Sequence, residues 1–519
     1  MKAELLLAFG GAAIALAASG AGAESGAVAT SPSAARCSAL TGTTIAGAMV
    51  TSAEHVAAGS VLAPLPQADS PAFCRVRIEA TPVAGSRIKI ETWLPDQWNG
   101  KLAGLGGGGF EGGYVMANLL LRKPVREGFI GVVTDAGHDR ADIPKWAFGQ
   151  PEKIADFGHR ANHIGALVSK ALATSFYGSP VKRALFHGCS NGGRDALILA
   201  QRYPEDYDAI VVGAPANDYS GLMASFAYLG QVGRQGTLSE TLAPKLKLVH
   251  DAAVAKCDGL DGAKDGLIGN PASCRFDPAV LACKSGTQGD ACLSKAELGA
   301  VKAVYTDTRL RSGALVMPGL PVGSEGDWNA WLTGPKAEGP SMATSFYRNF
   351  VHADDAWTPA AFDIDREWAA GRATVSRAID ALDPDLRPFL GRGGKLLMYH
   401  GWNDAAIPAG NSLRYYDAMR RAVGPKLAAS TRLFMLPGVG HCAGGSGPDT
   451  IDYFAEIDRW ADSGQAPDQL VATKYEKPFA AFGLEPGRAL RTRPACAWPK
   501  TAHYKGSGSF DEAASYTCR

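Results

Sequence analysis

The sequence predicts an α/β fold in which a mostly parallel sheet carries helices on both faces and a large lid is inserted into the chain. Short apolar runs recur along the first part of the chain and near its end, and segments of helical character lie between some of them. Strands that alternate with helices are typical of a parallel sheet buried on both faces. From residue 217 to 390 this alternation stops, and afterwards it resumes. The interruption favours an insertion over a separate tandem domain.

The first residues have the features of an export signal. Lys2 supplies a positive start, an apolar stretch follows, and the small residues up to Ala23 fit a cleavage site. The apolar stretch is too short to span a membrane comfortably, which disfavours a membrane anchor. We expect residues 1–23 to be a signal peptide and the mature protein to be secreted or periplasmic.

Seven apolar runs are predicted strands, at residues 87–95, 101–107, 128–137, 182–188, 208–216, 395–401 and 431–438. Two helices are predicted between them, at residues 159–178 and 194–204. The predicted core therefore comprises residues 24–216 and 391–519, and the predicted lid comprises residues 217–390. The C-terminal segment is rich in Pro, Gly and Ser and is expected to wrap around the core.

The chain has ten cysteines, an even number that indicates disulfides and an oxidising compartment. Proximity in sequence suggests four pairs: Cys37–Cys74, Cys257–Cys274, Cys283–Cys292 and Cys496–Cys518. Cys189 and Cys442 remain for each other, although the sequence alone leaves the connectivity open. A net charge of +1 gives no basic surface for nucleic acid, and no segment suits a membrane surface. The oligomeric state stays open.

A candidate nucleophile lies in the sequence GCSNG at residues 188–192. The pattern Gly-x-Ser-x-Gly is weak alone, but here it follows a predicted strand and opens a predicted helix, as a nucleophile elbow does. Glycines on both sides of the serine permit the tight turn. Ser190 is therefore the predicted nucleophile, and an ordinary glycine-rich turn is the alternative.

The candidate base and acid follow two later strands. Asp404 lies after the strand at 395–401 and His441 after the strand at 431–438, which is the order Ser, Asp, His found in hydrolases with this kind of sheet. If Ser190 and His441 meet, their neighbours Cys189 and Cys442 come within disulfide range. Asp139 or an acid in the lid are alternatives to Asp404, and His187 and His400 are expected near the site.

The glycine-rich stretch at residues 104–113 follows an early strand, where an oxyanion loop is expected. Backbone amides there stabilise the negative charge of a tetrahedral intermediate. We predict the amides of Asn191 and Gly109 as donors, with Gly108 as the alternative to Gly109. A surface turn is also possible, and a phosphate-binding loop is disfavoured because its lysine is absent.

An acidic loop in the lid is a candidate calcium site. Asp258, Asp261 and Asp265 lie within eight positions between two cysteines, and the carbonyls of Ala263 and Leu267 could complete a shell of oxygens. The spacing is not that of an EF-hand. The loop contains no histidine, which disfavours a catalytic metal. A solvated acidic turn is the alternative.

The segments HGCSNGGRDAL, GWNDAAIP and GVGHCAGG together resemble the tannase and feruloyl esterase family, as do TDAGHD, APDQL, RTRPACAWP and YKGSGS. The resemblance covers nearly the whole mature chain. It implies an α/β-hydrolase core and assigns roles to the following residues: Ser190, Asp404 and His441 as the triad, Cys189–Cys442 as a disulfide that joins two catalytic loops, Gly109 and Asn191 as the oxyanion hole, and Asp258, Asp261, Ala263, Asp265 and Leu267 as calcium ligands.

The family includes gallate esterases, feruloyl esterases and a terephthalate monoester hydrolase. The resemblance therefore implies a carboxylic-ester hydrolase that acts on esters of phenolic or other aromatic acids. The substrate would be either a small ester or an ester attached to a plant polymer. A terephthalate monoester hydrolase is the alternative within enzymes, and a non-catalytic, calcium-stabilised binding protein is the alternative from another class. Lid and site residues proposed to contact the substrate are Trp328, Trp331, Phe346, Tyr347, Phe350, Trp357, Arg348 and His400. The aromatic side chains among them could stack on an aromatic acyl ring, although such side chains more often form the core of a lid.

Overall fold

The computed structural model describes residues 32–60, 70–140, 145–233, 238–284, 289–334, 336–477, 480 and 484–519. The predicted signal peptide, residues 1–23, lies outside these ranges. The strands are β1 (Thr44–Ile45), β2 (Ala48–Val56), β3 (Phe73–Ala80), β4 (Ile88–Pro95), β5 (Lys101–Leu105), β6 (Ile130–Thr134), β7 (Arg183–Cys189), β8 (Ala209–Gly213), β9 (Thr308–Arg309), β10 (Leu315–Met317), β11 (Lys395–Gly401), β12 (Thr431–Leu436), β13 (Gln469–Tyr475), β14 (Ala489–Cys496), β15 (Ala502–Tyr504) and β16 (Tyr516–Cys518).

The helices are α1 (Pro32–Ser38), α2 (Ala117–Leu120), α3 (Arg122–Arg126), α4 (Pro151–Ala155), α5 (Ala161–Tyr177), α6 (Asn191–Arg202), α7 (Tyr219–Gly233), α8 (Leu238–Leu242), α9 (Leu246–Cys257), α10 (Lys295–Tyr305), α11 (Glu338–Phe346), α12 (Ile364–Thr374), α13 (Ser376–Ile379), α14 (Arg387–Gly391), α15 (Ala409–Ala428) and α16 (Tyr453–Ser463). Single π turns cover Asp156–Arg160, Asn329–Thr333 and Tyr347–His352. Within the described ranges, no helix has both the length and the apolar character needed to cross a membrane.

Ten strands form one sheet in the order β1-β2-β3-β4-β6-β5-β7-β8-β11-β12. The six strands from β6 to β12 are parallel, so their carboxyl ends meet at one edge. All seven predicted strands are present. The sequence missed β1, β2 and β3, which pair antiparallel with one another and with β4. Residues of β2 and β3 alternate between buried and more exposed positions, as expected where only one face is covered, so no continuous apolar run marks them.

The two faces of the sheet carry separate apolar clusters, which confirms the predicted layers. Side chains of α5, α6 and α15 pack on one face, for example Leu172, Leu197 and Met419. Side chains of α3 and α16 pack on the other, for example Val125 and Trp460. Strand β8 is buried along its whole length because both faces are covered.

The lid segment, residues 217–390, lies between two neighbouring strands. Strands β8 and β11 pair directly, so the chain leaves the sheet after β8 and returns to the adjacent position. The segment contains α7 to α14 and the hairpin β9–β10. Most of its apolar side chains pack in a cluster of their own, whereas Phe389 and Leu390 of α14 pack in the cluster on the sheet face. The lid cluster continues into core residues Phe110, Trp146 and Phe157, which seat the lid on the sheet edge.

Five disulfides join all ten cysteines: the four pairs that proximity in sequence suggested, Cys37–Cys74, Cys257–Cys274, Cys283–Cys292 and Cys496–Cys518, and the remaining pair Cys189–Cys442. The bond between Cys496 and Cys518 ties down the C-terminal segment, as expected.

Candidate active site

Ser190 occupies a strained turn between β7 and α6. Its φ of 64° and ψ of −124° lie outside the regions that non-glycine residues ordinarily adopt. A Cβ atom at Gly188 would overlap the carbonyl of Gly192, and one at Gly193 would overlap the carbonyl of Gly213. Only glycine fits these close backbone approaches. The motif therefore forms the nucleophile elbow that the sequence predicted, with the serine at the carboxyl edge of the sheet.

His441 bridges Ser190 and Asp404. Its Nε2 atom lies 2.9 Å from Ser190 Oγ, and its Nδ1 atom lies 2.8 Å from Asp404 Oδ2. Asp404 follows β11 and His441 follows β12, neighbours in the parallel part of the sheet. The structure thus brings together the three residues expected to form the triad, with the hydrogen bonds that a serine nucleophile, a base and an orienting acid need.

The Asp404 carboxylate is completely buried and fully hydrogen-bonded. Its Oδ1 accepts from the backbone amides of Ala406 and Ile407, both at 2.9 Å, and His400 Nε2 lies 3.2 Å from its Oδ2. Burial alone would raise the pKa of Asp404, but the charge of His441 and the hydrogen bonds from His400 and His441 outweigh it and hold the pKa well below its usual range. The acid therefore stays ionised.

The surroundings of His441 favour its protonated form. Burial works against the charge, but the neighbouring Asp404 carboxylate outweighs burial and raises the pKa of His441 above its usual value, with Glu338 and Asp327 adding to the effect. An imidazole of this kind readily accepts the serine proton and holds it until the leaving group takes it.

The disulfide between Cys189 and Cys442 joins the nucleophile loop to the histidine loop. The two Cα atoms are 5.8 Å apart. Cys442 has a φ of 65°, a left-handed conformation that is rare for a residue with a side chain. The covalent bond holds both unusual backbone turns next to Ser190 and His441.

A cavity of about 460 Å³ opens over Ser190. The glycine loop, the disulfide, Ser190, Asn191 and His441 form its floor. Its apolar wall comes from both the lid and the core: the lid supplies Tyr219, Leu222, Met223, Phe226, Trp331 and Met342, and the core supplies Met116, Leu120, Pro124, Ala406, Ile407, Ile451, Tyr453 and Phe454. The sequence missed the α7 residues. The signal was present, because α7 is apolar on nearly every side, and a helix of that kind must be covered all round.

Of the proposed substrate contacts, Trp331 lines the cavity, and its ring lies 5.3 Å from the His441 ring at an angle of 70°. His400, which we expected to contact the substrate, instead supports Asp404. The other residues lie in the lid core or away from the cavity wall, which corrects the expectation for them: Trp328, Phe346, Tyr347, Phe350, Trp357 and Arg348. Trp328 donates to Ser324 Oγ, and Arg348 donates to the carbonyl of Trp357. The residue types made these side chains candidates for substrate contact, but the sequence does not show which space each of them faces.

Gly109 and Asn191, the predicted oxyanion donors, both line the cavity beside Ser190. Gly109 has a left-handed φ of 57°, which turns the glycine loop at this point. Asn191 is the first residue of α6, where free backbone amides and the helix dipole favour negative charge.

The acidic loop of the lid meets the C-terminal segment. Asp258 accepts from the amides of Asp265 and Gly266, both at 3.1 Å. The guanidinium of Arg493 pairs with both Asp261 and Asp265. In the described part of the chain, no three acidic, His or Cys side chains surround a common point as metal ligands do. Lys264 lies in the same loop, and Arg491 pairs with Asp511 at 2.6 Å, so the four carboxylates of Asp258, Asp261, Asp265 and Asp511 and the three cations Lys264, Arg491 and Arg493 leave one negative charge.

Comparisons with known proteins show the family of the chain. The model of the tannase and feruloyl esterase family matches residues 74–519. An uncharacterized esterase of Xanthomonas campestris pv. campestris is 34% identical, with 94% of this chain and 92% of that protein covered. A mono(2-hydroxyethyl) terephthalate hydrolase of Piscinibacter sakaiensis is 30% identical, with 83% of this chain and 81% of that protein covered. The crystal structure of feruloyl esterase B from Aspergillus oryzae has a TM-score of 0.84 at 28% identity and covers 94% of this chain and 100% of that one.

Proposed function

The chain belongs to the tannase and feruloyl esterase family and is a carboxylic-ester hydrolase, and on that premise we propose that Ser190, His441 and Asp404 are its catalytic triad and that its substrates are esters of aromatic acids. The observation that carries the proposal is the hydrogen-bonded chain from Ser190 Oγ through His441 to Asp404, at 2.9 and 2.8 Å. This chain of groups faces the largely apolar cavity.

In the first half of the reaction, Ser190 Oγ attacks the ester carbonyl while His441 Nε2 takes the hydroxyl proton. Asp404 holds Nδ1 protonated and stabilises the imidazolium. The tetrahedral intermediate collapses, the C–O bond to the alcohol breaks, and His441 gives its proton to the departing alkoxide. Water then attacks the acyl-serine with His441 as base, and the acid leaves as Ser190 regains its proton.

We assign stabilisation of the intermediate to the amides of Gly109 and Asn191. Both residues line the cavity beside Ser190, and Asn191 begins α6. Donors aimed at a developing oxyanion each contribute about 3 kcal/mol to transition-state stabilisation.

The acyl group fits the lid side of the cavity. A cavity of about 460 Å³ has room for an aromatic acid, and Trp331, Phe226 and Met342 offer the ring and sulfur surfaces on which an aromatic ring packs. Trp331 also touches the His441 ring, so the acyl ring would pack next to the catalytic imidazole.

The charges at the cavity favour a neutral aromatic ring over one with a second carboxylate. Lys123 is the cation among the described lining residues, and its ammonium already contacts Glu127 and lies 2.7 Å from Asp452. Glu338 adds negative charge to the wall, and Asp449, also on the wall, lies 3.5 Å from the ammonium of Lys474. A terephthalate monoester would therefore bring its free carboxylate to acidic neighbours, so we propose feruloyl- or gallate-type esters as the preferred substrates.

A release assay tests the proposal. Methyl ferulate, methyl gallate and mono(2-hydroxyethyl) terephthalate are compared at equal concentration, with the Ser190→Ala variant as control. We expect the terephthalate ester to have the lowest kcat/KM, and Ser190→Ala to lose more than about a thousandfold in activity while it keeps the wild-type circular dichroism spectrum. Activity retained by Ser190→Ala would refute the nucleophile, and a preference for the terephthalate ester would refute the acyl assignment.

We also propose that the acidic loop binds calcium. The donors fit a hard cation, because Asp258, Asp261 and Asp265 supply carboxylate oxygens and the carbonyls of Ala263 and Leu267 lie on the same loop. The excess negative charge of the cluster supports a bound cation. Its role there would be to hold the lid loop against the C-terminal segment.

Removal of calcium from the purified protein tests this proposal. We expect a chelator to lower Tm and added Ca²⁺ to restore it, because a ligand that binds only the folded state stabilises it. Asp258→Asn should lower Tm and abolish the change in Tm that chelator and Ca²⁺ cause. Asp290 is an exposed lid carboxylate outside the loop, so Asp290→Asn should keep that change. A Tm unaffected by chelator in the wild type would refute the calcium site and leave Arg491 and Arg493 as counter-ions of the loop.

The five disulfides support a location in an oxidising compartment, and we propose export to the periplasm or the medium. Substrates attached to plant polymers would be accessible only to an exported enzyme.

A further inference from the structure

Arg194 lies in the first turns of α6, four residues after Ser190, and its side chain has no exposure to solvent. A buried guanidinium costs several kcal/mol in lost hydration unless its donors are satisfied. The triad does not use this residue, and the sequence offered no role for it.

All five N–H donors of Arg194 are engaged. Its Nε donates to Asn191 Oδ1 at 2.7 Å. Its two Nη atoms donate to the carbonyls of Gly158 (2.7 Å), Phe157 (2.8 Å) and Ile379 (3.0 Å), and to Asp195 Oδ1 (2.7 Å). The guanidinium carbon also lies 4.6 Å from the centre of the Phe157 ring.

These partners belong to three different elements. Asn191 belongs to the nucleophile helix, Phe157 and Gly158 to the π turn before α5, and Ile379 to α13 of the lid. The π turn and the lid touch through their backbones here, because a Cβ atom at Gly158 would overlap the carbonyl of Ala378. Arg194 therefore joins the turn that carries the nucleophile to the place where the lid is seated.

We propose that Arg194 is a positioning residue that acts through Asn191: its Nε–H, held in place by the four hydrogen bonds of the Nη atoms, fixes the Asn191 side chain, and with it the strained first turn of α6 that presents Ser190 and the Asn191 amide to the reacting carbonyl. The contact with Ile379 makes this geometry depend on a seated lid. The inference rests on the oxyanion role proposed for Asn191.

Arg194→Lys tests the proposal, because lysine keeps the charge and loses the planar fork. With methyl ferulate we expect kcat to fall about tenfold while KM changes less than about twofold, since the lost interaction acts on the transition state. Inhibition by phenylboronic acid, which forms a tetrahedral adduct with a serine, should weaken by a similar factor, and inhibition by the product ferulate should not change. Unchanged kcat and unchanged boronate inhibition would overturn the proposal.

Arg202→Lys is the matched control. Arg202 lies at the end of the same helix and also donates to a lid carbonyl, that of Arg377, away from the cavity. It should keep the wild-type kcat and boronate inhibition. A double variant, Arg194→Lys with Asn191→Ala, should be no slower than Asn191→Ala alone, and multiplied losses would show that Arg194 does not act through Asn191.

If Arg194→Lys does not fold, Asn191→Asp and Asn191→Leu decide the matter. The aspartate keeps an acceptor for Nε, and the leucine, of similar size, does not. We expect kcat to be higher for Asn191→Asp than for Asn191→Leu. Equal losses of kcat in the two variants would overturn the proposal. Failure of the proposed function looks different, because the wild type would then resist phenylboronic acid and Ser190→Ala would stay active.

Discussion

His400 Nε2 lies 3.2 Å from Asp404 Oδ2, the same carboxylate oxygen that His441 Nδ1 approaches to 2.8 Å. His400 is completely buried. Its Nε2 also lies 3.0 Å from the carbonyl of Ile407, and its Nδ1 lies 2.8 Å from Ser412 Oγ. Because a carbonyl only accepts, Nε2 carries a proton, and Nδ1 forms a hydrogen bond with the serine hydroxyl. His441 and His400 therefore share the Asp404 carboxylate, and His400 does not line the cavity.

Replacement of His400 should reduce catalysis without touching the cavity. We expect His400→Leu to lower kcat about tenfold, because a hydrogen bond to a charged group contributes about 1.5–3 kcal/mol and its loss leaves Asp404 less well oriented. Ser412→Ala, which removes only the hydrogen-bond partner of Nδ1, should lower kcat by a smaller factor than His400→Leu. Steady-state kinetics with methyl ferulate measure both effects, and a wild-type kcat in His400→Leu would show that Asp404 needs no second donor.

The pH dependence of kcat/KM should report His441. The base is active only when neutral, and its pKa is raised, so activity should be lost as pH falls through a value above the usual histidine range. Asp404 stays ionised throughout, because its pKa is lowered. In Asp404→Asn the acidic limb should move to lower pH, and kcat should fall about ten-thousandfold. A limb that stays in place in this variant would mean that another group titrates.

The Cys189–Cys442 disulfide should matter more for catalysis than for folding. In the double variant Cys189→Ala with Cys442→Ala, we expect kcat to fall at least about tenfold at a temperature where the protein is still folded, because the two catalytic loops lose their link. The variant Cys283→Ala with Cys292→Ala, which removes a disulfide between lid residues nine apart, is the control and should keep the wild-type kcat. Equal kinetics in both variants would make the first bond purely structural.

Trp331 should set affinity for aromatic acyl groups. Trp331→Ala should raise KM for methyl ferulate about tenfold, because stacking and burial of an aromatic ring contribute about 1–2 kcal/mol. The KM for p-nitrophenyl acetate, whose acyl group has no ring, should be nearly unchanged. Trp368→Ala is a matched control, a partly buried lid tryptophan away from the cavity. If KM for both esters rises equally in Trp331→Ala, Trp331 does not read the acyl ring.

Much of the core and the central site could be predicted from the sequence, because the signals are local. Ser190, Asp404 and His441 each follow an apolar run, and in a parallel sheet the ends of such runs meet at one edge. The proximity of cysteines in the chain likewise indicated four disulfides. The oxyanion, calcium and signal-peptide assignments stay predictions.

The walls of the cavity could not be predicted in this way. Trp328, Trp331 and Phe350 all belong to the same stretch of lid sequence, yet only Trp331 lines the cavity. Which of them faces the cavity depends on how the lid packs, and this is not a property of local spacing. The role of His400 was missed for a similar reason, because its partners are set by the turn after β11.

The central claim is that Ser190 is the nucleophile and His441 its base. Treatment with a fluorophosphonate, which reacts with an activated serine, followed by peptide mass spectrometry tests it most directly. The account predicts one adduct, on Ser190, with loss of activity in proportion to labelling, and strongly slowed labelling in His441→Ala. Full inactivation with the adduct on another residue, or labelling of Ser190 that leaves activity intact, would contradict it.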